Sequence, residues 1–308
     1  MDLYAQLSVV ADGKPFGSPA AFKAEYGDPT VPADKRQVLA GKIAPFLLRR
    51  TKEECLDLPE KTFVDVIVEL PAWQRKMYDA MRDDLAHEVE GMSEEQFRSF
   101  LPTAMTRLLR LSQVASNPAL ILPNEHRIPG KLAELDGLVS ELVDANGRKV
   151  IIWSYYVATI EMIAARYADR GVIAIYGATP AEERQPLATQ FQDDPSVHVM
   201  VANPSAAGTG LTLTAATYSI YETLTWRYDL YAQSQDRNHR IGQRNPVTYI
   251  RLLAADTIER AIVAALEGKA LMAADLLGDE GRPAASPTMT PELFLRLLRS
   301  GDLPPRDN

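Results

Sequence analysis

The chain has very little cysteine: Cys55 is the only one among 308 residues. A single thiol cannot form an intramolecular disulfide, and it does not suffice for a cysteine-based zinc site. No run of about eighteen apolar residues occurs, and the opening stretch MDLYAQLSVVADG lacks the basic and apolar regions of a signal peptide. A disulfide framework and a membrane-spanning helix are therefore not expected, and the cytoplasm is the expected location.

The sequence also lacks the G-x-x-x-x-G-K-[ST] loop that holds phosphate in many ATPases, and an acidic residue placed to hold magnesium. The stretch GKPFGSP at 13–19 contains glycine and lysine, but its spacing does not match and no clear strand precedes it. We therefore expect that this chain alone binds neither ATP nor Mg²⁺.

Hydrophobic residues make up 46% of the chain, which is enough for a full-sized core in one large domain or two smaller ones. The net charge of -8 argues mildly against a protein whose whole surface wraps nucleic acid. Two local segments are basic despite this balance. They contain Lys35, Arg36, Lys42, Arg49, Arg50 and Lys52 in the first, and Arg237, Arg240 and Arg244 in the second.

Two helices should follow the first predicted strand, 63–70. In the stretch 72–90, apolar residues recur at steps of three and four, which indicates an amphipathic helix. A second helix should begin at Ser93, whose hydroxyl can form a capping box with Gln96, and run toward 114 with a bend near Pro102. We interpret this helical pair as a spacer.

From residue 131 onward, apolar strands alternate with helical segments. This alternation predicts right-handed crossovers and an α/β fold with a mainly parallel sheet. A conflict remains at Pro186, which falls inside the predicted helix 181–192 and should cause a kink or a late helix start. The predicted strands are 149–153, 171–176, 198–202, 218–221 and 247–253, and the other helices are 132–144, 158–169 and about 256–277.

Two arginines stand three residues apart in the stretch QSQDRNHRIGQ, at 233–243. On one helical turn, Arg237 and Arg240 would leave the same face and could reach one target together. Paired guanidinium groups stay ionised and offer several donors, so they match a polyphosphate better than a carboxylate. A solvated, salt-bridged helix end is the alternative for an arbitrary R-x-x-R spacing.

The string D-R-x-H-R-I-G-Q resembles the last motif of the Swi/Snf-like family of superfamily-two helicases. DLYAQL at 2–7 and FLLRRTKEECLDLPEKT at 46–62 resemble segments near the exit of that family's first RecA-like lobe. The variant looks more like compact bacterial and phage members than eukaryotic remodellers. Arg49 and Arg50 would then be either surface charges or braces between the two lobes.

The resemblance also implies a division of the chain. The end of a first lobe and a connecting arm would occupy 1–62, and the helical spacer 63–128. A second RecA-like lobe would follow at 129–277, and 278–308 would form a linker with a short C-terminal helix.

In the resembling family, the two arginines act as fingers on the terminal phosphate of ATP, which makes Arg237 and Arg240 the expected catalytic residues. The resemblance also implies three residues near the nucleotide, namely Gly208, Gly210 and Gln233. The two glycines would let the backbone approach the ligand closely. ATP and Mg²⁺ would bind at the junction with a first lobe that this sequence does not contain.

The loops after three predicted strands resemble the family's motifs that contact the phosphates of the tracked DNA strand. Ligands of open parallel sheets gather beyond the carboxyl ends of the strands, which agrees with this placement. Thr179 precedes Pro180, so a helix cap is the alternative or additional role of its hydroxyl. The expected DNA contacts are Ser154, Tyr155, Gly177, Thr179, Asn203, Ser205 and Thr209.

Two functions remain open on the sequence. The chain is either the C-terminal lobe of a DNA-dependent ATPase or translocase whose first lobe belongs to a separate polypeptide, or a non-catalytic module that binds DNA or a helicase. A fragment of a longer protein is a third possibility. Trp226 is either a core anchor or a DNA-facing aromatic, and His239 is expected to orient its neighbours by hydrogen bonding.

Overall fold

The computed structural model describes residues 2–10, 16–26, 33–46, 55–207, 210–276 and 289–301. Within them, the predicted strands form one sheet in which all neighbouring strands are parallel. The strands are β1 (Lys61–Val68), β2 (Val150–Trp153), β3 (Val172–Ile175), β4 (Val199–Ala202), β5 (Tyr218–Tyr221) and β6 (Val247–Ala254), and their spatial order is β1-β6-β5-β2-β4-β3.

The central strands are apolar because helices cover both faces of the sheet. All four residues of β2 and of β4 are buried, as expected for a parallel sheet reached by crossovers. One face is covered by α6 (Gly130–Val139) and α7 (Val157–Arg166). The other is covered by α8 (Ala181–Asp193), α9 (Tyr228–Gln235) and α10 (Glu259–Leu276). The predicted α/β fold with a mainly parallel sheet is confirmed.

The helical spacer consists of α4 (Ala72–Val89) and α5 (Glu94–Ser116). Ser93 and Gln96 form the predicted capping box, because each side chain accepts a hydrogen bond from the backbone amide of the other. Pro102 lies inside α5. The helix therefore continues through a residue that donates no backbone hydrogen bond.

The first strand joins the main sheet. β1 pairs with β6 along its full length, although the sequence placed this strand at the start of the spacer. The short helix α11 (Pro291–Ser300) packs against α4, with Phe294 and Leu297 fully buried beside Phe97. The spacer is therefore attached to the sheet through β1, and α11 packs on its helix α4.

The N-terminal helices α1 (Asp2–Val10), α2 (Pro19–Tyr26) and α3 (Ala33–Ile43) enclose a small cluster of their own, and α3 contacts α10. The arm at 47–54, with Arg49 and Arg50, lies outside the described residues. No helix in the described part of the chain has both the length and the apolar character that a membrane span requires.

Two helical expectations need correction. The helix predicted at 132–144 is α6 followed by a π-helical turn, Ser140–Ala145. The late start proposed because of Pro186 is wrong, since α8 begins at Ala181 and contains this proline. Pro186 is the sixth residue of α8, so the helix accommodates a proline that removes one backbone hydrogen bond from its interior.

Candidate functional site

The two arginines do not lie on a helical turn as predicted. α9 ends at Gln235, and Arg237 and Arg240 occupy the turns that follow it. The amide of Arg237 donates to the carbonyl of Ser234, three residues earlier, at 3.2 Å, so the helical i→i−4 pattern has already ended there. The carbonyl of Arg237 accepts a hydrogen bond of 2.9 Å from the amide of Leu213, which ties this turn to a distant part of the chain.

These turns hold the arginine pair against the glycine loop that was expected near the nucleotide. Nη1 of Arg240 donates to the carbonyls of Gly210 and Leu211, both at 3.2 Å. Gly210 has a φ of 74°, a left-handed conformation that favours glycine. Gly208 lies outside the described residues. The structure thus joins the predicted arginine and glycine elements through Arg240 and Gly210.

Arg237 is partly buried beside Arg240. Burial lowers the pKa of Arg237, the charge of Asp236 acts in the opposite direction, and the like charge of Arg240 lowers the pKa further. The two guanidinium groups therefore repel each other across this turn. An anion bound there would relieve their repulsion.

Gln243 is the anchor of this turn. Its amide nitrogen donates to the carbonyls of Thr214, Ala216 and Asn238, at 3.0 to 3.4 Å. Its oxygen accepts the amides of the next two residues. Nε2 of His239 lies 2.8 Å from the carbonyl of Pro59, just before β1. These contacts hold the arginine turn beside the amino ends of β5, β6 and β1.

Gln233, the third residue expected near the nucleotide, is exposed on α9. Among the described residues, no three His, Cys, Asp or Glu side chains come together as metal ligands. Binding of ATP and Mg²⁺ beside the arginine turn stays a prediction.

The expected DNA-contacting residues form a second group, at the carboxyl ends of β2, β4 and β3. Ser154 and Tyr155 do not present their hydroxyl groups to solvent, which differs from the prediction. Ser154 is fully buried and donates to a carboxylate oxygen of Glu222 at 2.8 Å. The hydroxyl of Tyr155 is buried without a hydrogen-bond partner among the described residues, and burial raises the pKa of Tyr155. A contact with DNA at this loop would therefore involve its backbone.

Asn203 shapes the loop after β4. Its side-chain oxygen accepts the amide of Ser205 at 2.9 Å and the hydroxyl of Ser205 at 2.6 Å. Its nitrogen donates to the carbonyl of Tyr155 at 3.1 Å, so the loops after β2 and β4 are joined. Ser205 is exposed, and Thr209 lies outside the described residues.

Thr179 has a different local role from the expected helix cap. Its hydroxyl accepts the amide of Tyr176 at 3.1 Å and closes the turn after β3. The capping position of α8 belongs to Pro180, whose side chain makes no capping hydrogen bond. Proline has no side-chain acceptor, and the amide of Glu183 in the first turn donates instead to the backbone carbonyl of Pro180 at 3.1 Å. Gly177, in the same turn, is exposed.

Arg184 and Glu222 join neighbouring loops, and sequence reasoning missed both. Nε of Arg184 donates to the carbonyl of Thr179, and Nη1 donates to that of Ala206, each at 3.0 Å. Glu222 follows β5 and holds Ser154 of the loop after β2. The available signal for Glu222 was an acidic residue directly after the apolar strand YSIY. Side chains thus link the loops of β5, β2, β4 and β3 in the order of the strands.

The helicase conserved C-terminal domain matches residues 130–242. An uncharacterized ATP-dependent helicase of Mycoplasma pneumoniae is 29% identical over 228 residues, covering 73% of this chain and 22% of that protein. The chromatin-remodeling ATPase INO80 of Cryptococcus neoformans is 32% identical over 188 residues, covering 58% of this chain and 11% of that protein. The chain thus spans at most about a quarter of the length of the first curated relatives that it matches.

Among solved structures, the Sulfolobus solfataricus SWI2/SNF2 ATPase core in complex with double-stranded DNA is similar to this chain, with a TM-score of 0.56 and 28% identity. The similarity covers 85% of this chain and 55% of that one. The fold is the RecA-like α/β fold of such C-terminal domains. The motif order, the sheet and these relatives agree, and the chain belongs to the Swi/Snf-like helicases, where it corresponds to the C-terminal half of an ATPase core such as the Sulfolobus one.

Proposed function

We propose that this chain is the C-terminal motor lobe of a DNA-dependent ATPase and translocase, with the ATP-binding first lobe carried on a separate polypeptide. ATP would bind where the two lobes meet, and Arg237 and Arg240 would act as fingers on its γ-phosphate. Gly210 and Gln233, with Gly208, would lie near the nucleotide. Mg²⁺ would be held by the first lobe together with the phosphates.

The observation that carries this proposal is how Arg240 is anchored. Nη1 is held by two backbone carbonyls, whereas Nε and Nη2 have no hydrogen-bond partner among the residues described. A guanidinium offers donors in a rigid planar fork, so an Arg240 side chain held at one nitrogen keeps donors for a phosphate. The nearby charge of Arg237 adds a second cation for the same anion.

The sequence supports the proposal that another polypeptide provides the phosphate-binding loop. An arginine finger stabilises charge on a phosphate that a glycine-rich loop and a metal already hold. None of the 308 residues forms the G-x-x-x-x-G-K-[ST] pattern that provides such a loop. Hydrolysis by this chain alone is therefore not expected.

For DNA, the proposed surface is the row of loops at the carboxyl ends of β2, β4 and β3. Exposed Gly177 and Ser205, the turn at Thr179 and the loop at Asn203 offer backbone and hydroxyl donors, which commonly bind phosphates. Thr209 and the backbone of Ser154 and Tyr155 complete the proposed set. The double-stranded DNA in the similar Sulfolobus core supports duplex as the first substrate to test. Lobe closure on ATP would alter the grip on DNA.

The test compares ATP hydrolysis by three samples: this chain, a phosphate-loop polypeptide encoded beside it, and their mixture, each with and without duplex DNA. We expect hydrolysis only in the mixture, stimulated by DNA. Arg240→Ala should reduce that rate by roughly 10³-fold to 10⁵-fold, the range measured for arginine fingers. Arg240→Lys should also lose most of the rate, because lysine keeps the charge but not the planar fork.

Arg296→Ala is the matched control, since it removes an exposed arginine from α11 and should leave the rate unchanged. An inert mixture, with DNA binding retained by this chain, would favour the alternative of a non-catalytic module that binds DNA or a helicase. Robust hydrolysis by the chain alone would defeat both readings.

A further inference from the structure

The loop at 154–156 is tied at both ends to one face of the spacer helix α5. The hydroxyl of Tyr156 donates to that of Ser112 at 3.2 Å. At the other end, Ser154 and Ser116 donate to the two carboxylate oxygens of Glu222, at 2.8 and 2.6 Å. Ser112 and Ser116 are four residues apart on the helix, so they lie on the same face, one turn apart.

These contacts lie in the interior, away from water. Ser112, Ser116, Ser154 and Glu222 are each at most 5% exposed. A buried carboxylate is stable only when protein groups replace its hydration, and hydroxyl groups do so here through charge-assisted hydrogen bonds. A shift of α5 that broke the Ser116 contact would leave part of that charge unsatisfied. Such contacts favour one fixed relation between helix and loop.

Glu222 is itself held in place by three further hydrogen bonds. The hydroxyl of Thr223 donates to the same carboxylate, and Nζ of Lys131 donates to the backbone carbonyl of Glu222 at 2.8 Å. The amide of Glu222 donates to the carbonyl of Trp153, directly before the loop. Because Glu222 is fixed to the sheet, its hydrogen bonds to Ser116 and Ser154 set the position of the loop relative to α5.

The connection continues to the neighbouring loop. The carbonyl of Tyr155 accepts the side-chain amide of Asn203, and Asn203 shapes the backbone around Ser205. A change at 154–156 would therefore reach 203–205 through one side chain. Both loops belong to the surface that we propose for DNA phosphates.

We propose that Ser116, acting through Glu222, and Ser112, acting through Tyr156, are positioning residues that couple the helical spacer to this DNA-contacting edge. The proposal rests on the function proposed above for the edge, and it adds a role for the spacer. A partner or a lobe movement that displaced α5 would weaken the grip on the DNA backbone without touching DNA. Neither serine needs to contact DNA for this effect.

The test uses Ser116→Ala and Tyr156→Phe in the full chain, with two measurements on each. The first is the Kd for a duplex of about 30 base pairs by fluorescence anisotropy at several salt concentrations. The second is amide hydrogen exchange at 154–156 and 203–205. Thr106→Ala is the matched control, because this hydroxyl lies on α5 but bonds only to the carbonyl of Pro102 in its own helix.

We expect both Ser116→Ala and Tyr156→Phe to raise the Kd about fivefold, the equivalent of one ordinary hydrogen bond, and to speed amide exchange in the two loops. The slope of log Kd against log salt should not change, because no phosphate contact is removed. A loss of DNA contacts themselves would reduce that slope. Thr106→Ala should behave like the unaltered chain in both measurements.

Unchanged loop exchange in both folded variants would overturn the coupling, as would a uniform rise across the whole sheet. If Ser116→Ala does not fold, Tyr156→Phe alone decides, since its side chain is only partly buried. If the unaltered chain binds no duplex, the proposed function fails, and the exchange measurement still decides whether the helix positions the loops. Faster loop exchange with an unchanged Kd would show that these loops do not bind DNA and would overturn the proposed role.

Discussion

Removal of the buried cation Lys131 should strongly destabilise the fold. Lys131 and Glu259 are both fully buried, with Nζ 2.5 Å from a carboxylate oxygen. Lys131→Met would leave that carboxylate in the interior with the amide of Ala254, at 2.7 Å, as its remaining donor among the described residues. Breaking a buried pair from one side costs about 3–5 kcal/mol, because one charge stays uncompensated. We expect a loss of that size at neutral pH.

The cost should depend on pH in a defined direction. Burial raises the pKa of Glu259, and the nearby charge of Lys131 opposes this effect. Without the lysine, the folded-state pKa should rise further above the unfolded value. A raised carboxyl pKa contributes stability that is present below the unfolded pKa and lost as pH rises through the folded pKa. The difference between Lys131→Met and the unaltered chain should therefore shrink as the pH falls.

A double variant separates the uncompensated charge from simple loss of packing. Lys131→Met with Glu259→Gln should be more stable than Lys131→Met alone by about 2 kcal/mol, because the amide oxygen can still accept from Ala254 without a buried charge. Lys76→Met, which removes an exposed lysine from α4, should change stability by less than about 0.5 kcal/mol.

The assay is urea unfolding, followed by tryptophan fluorescence with buried Trp153 as a probe, at several pH values. A cost below about 1 kcal/mol for Lys131→Met at neutral pH would refute the reasoning, since a buried unpaired charge cannot be so cheap. A cost that does not vary with pH would refute it equally.

Three further perturbations test other parts of the fold. Gly171→Ala should lower the free energy of unfolding in urea by at least about 2 kcal/mol, because φ is +65° and the added Cβ would lie 2.0 Å from a backbone oxygen. The control Gly137→Ala lies in an open helical position and should stabilise the fold by up to about 1 kcal/mol. Asp136→Asn should reduce the loss of thermal stability between neutral and acidic pH. Burial raises the pKa of Asp136, but hydrogen bonds from Arg166 and Tyr167 lower it overall. The stability that the Asp136 carboxylate contributes is therefore present above its unfolded pKa and lost as the pH falls through its folded pKa. Equal acid sensitivity of both chains would contradict this. Phe294→Ala should cost about 3–5 kcal/mol and expose α11 to limited proteolysis, since the ring is fully buried; retained protection would contradict the docking of this helix.

Local patterns in the sequence were sufficient where neighbouring residues complete the interaction. The capping box at Ser93 needs only Gln96, three residues away, and it forms as predicted. The strands from β2 onward also lie within one or two residues of their predicted limits. Strands can be recognised from apolar runs bounded by turns, because this pattern lies within the strand and its neighbours.

Distant partners explain the expectations that failed or changed. The arginines lie in turns after α9, and the amide of Leu213 binds the carbonyl of Arg237 there. Ser154 faces inward because Glu222, 68 residues further along the chain, accepts its hydroxyl. Thr179 is the exception, since its hydroxyl accepts the amide of Tyr176, only three residues earlier, and closes a turn instead of capping α8. Neither of the two distant partners can be identified from the spacing of the residues concerned.

By itself, the sequence determined the α/β fold class, the strands and the motif order that identify the family, because these depend on local periodicity and on residue types at short spacing. Only the tertiary structure decided which hydroxyl groups face inward, and that Arg240 is anchored to a glycine loop 30 residues away. It also joined Ser116 to Glu222 across 106 residues. The physical reason is that a polar group in the interior must find its partner wherever the folded chain provides one.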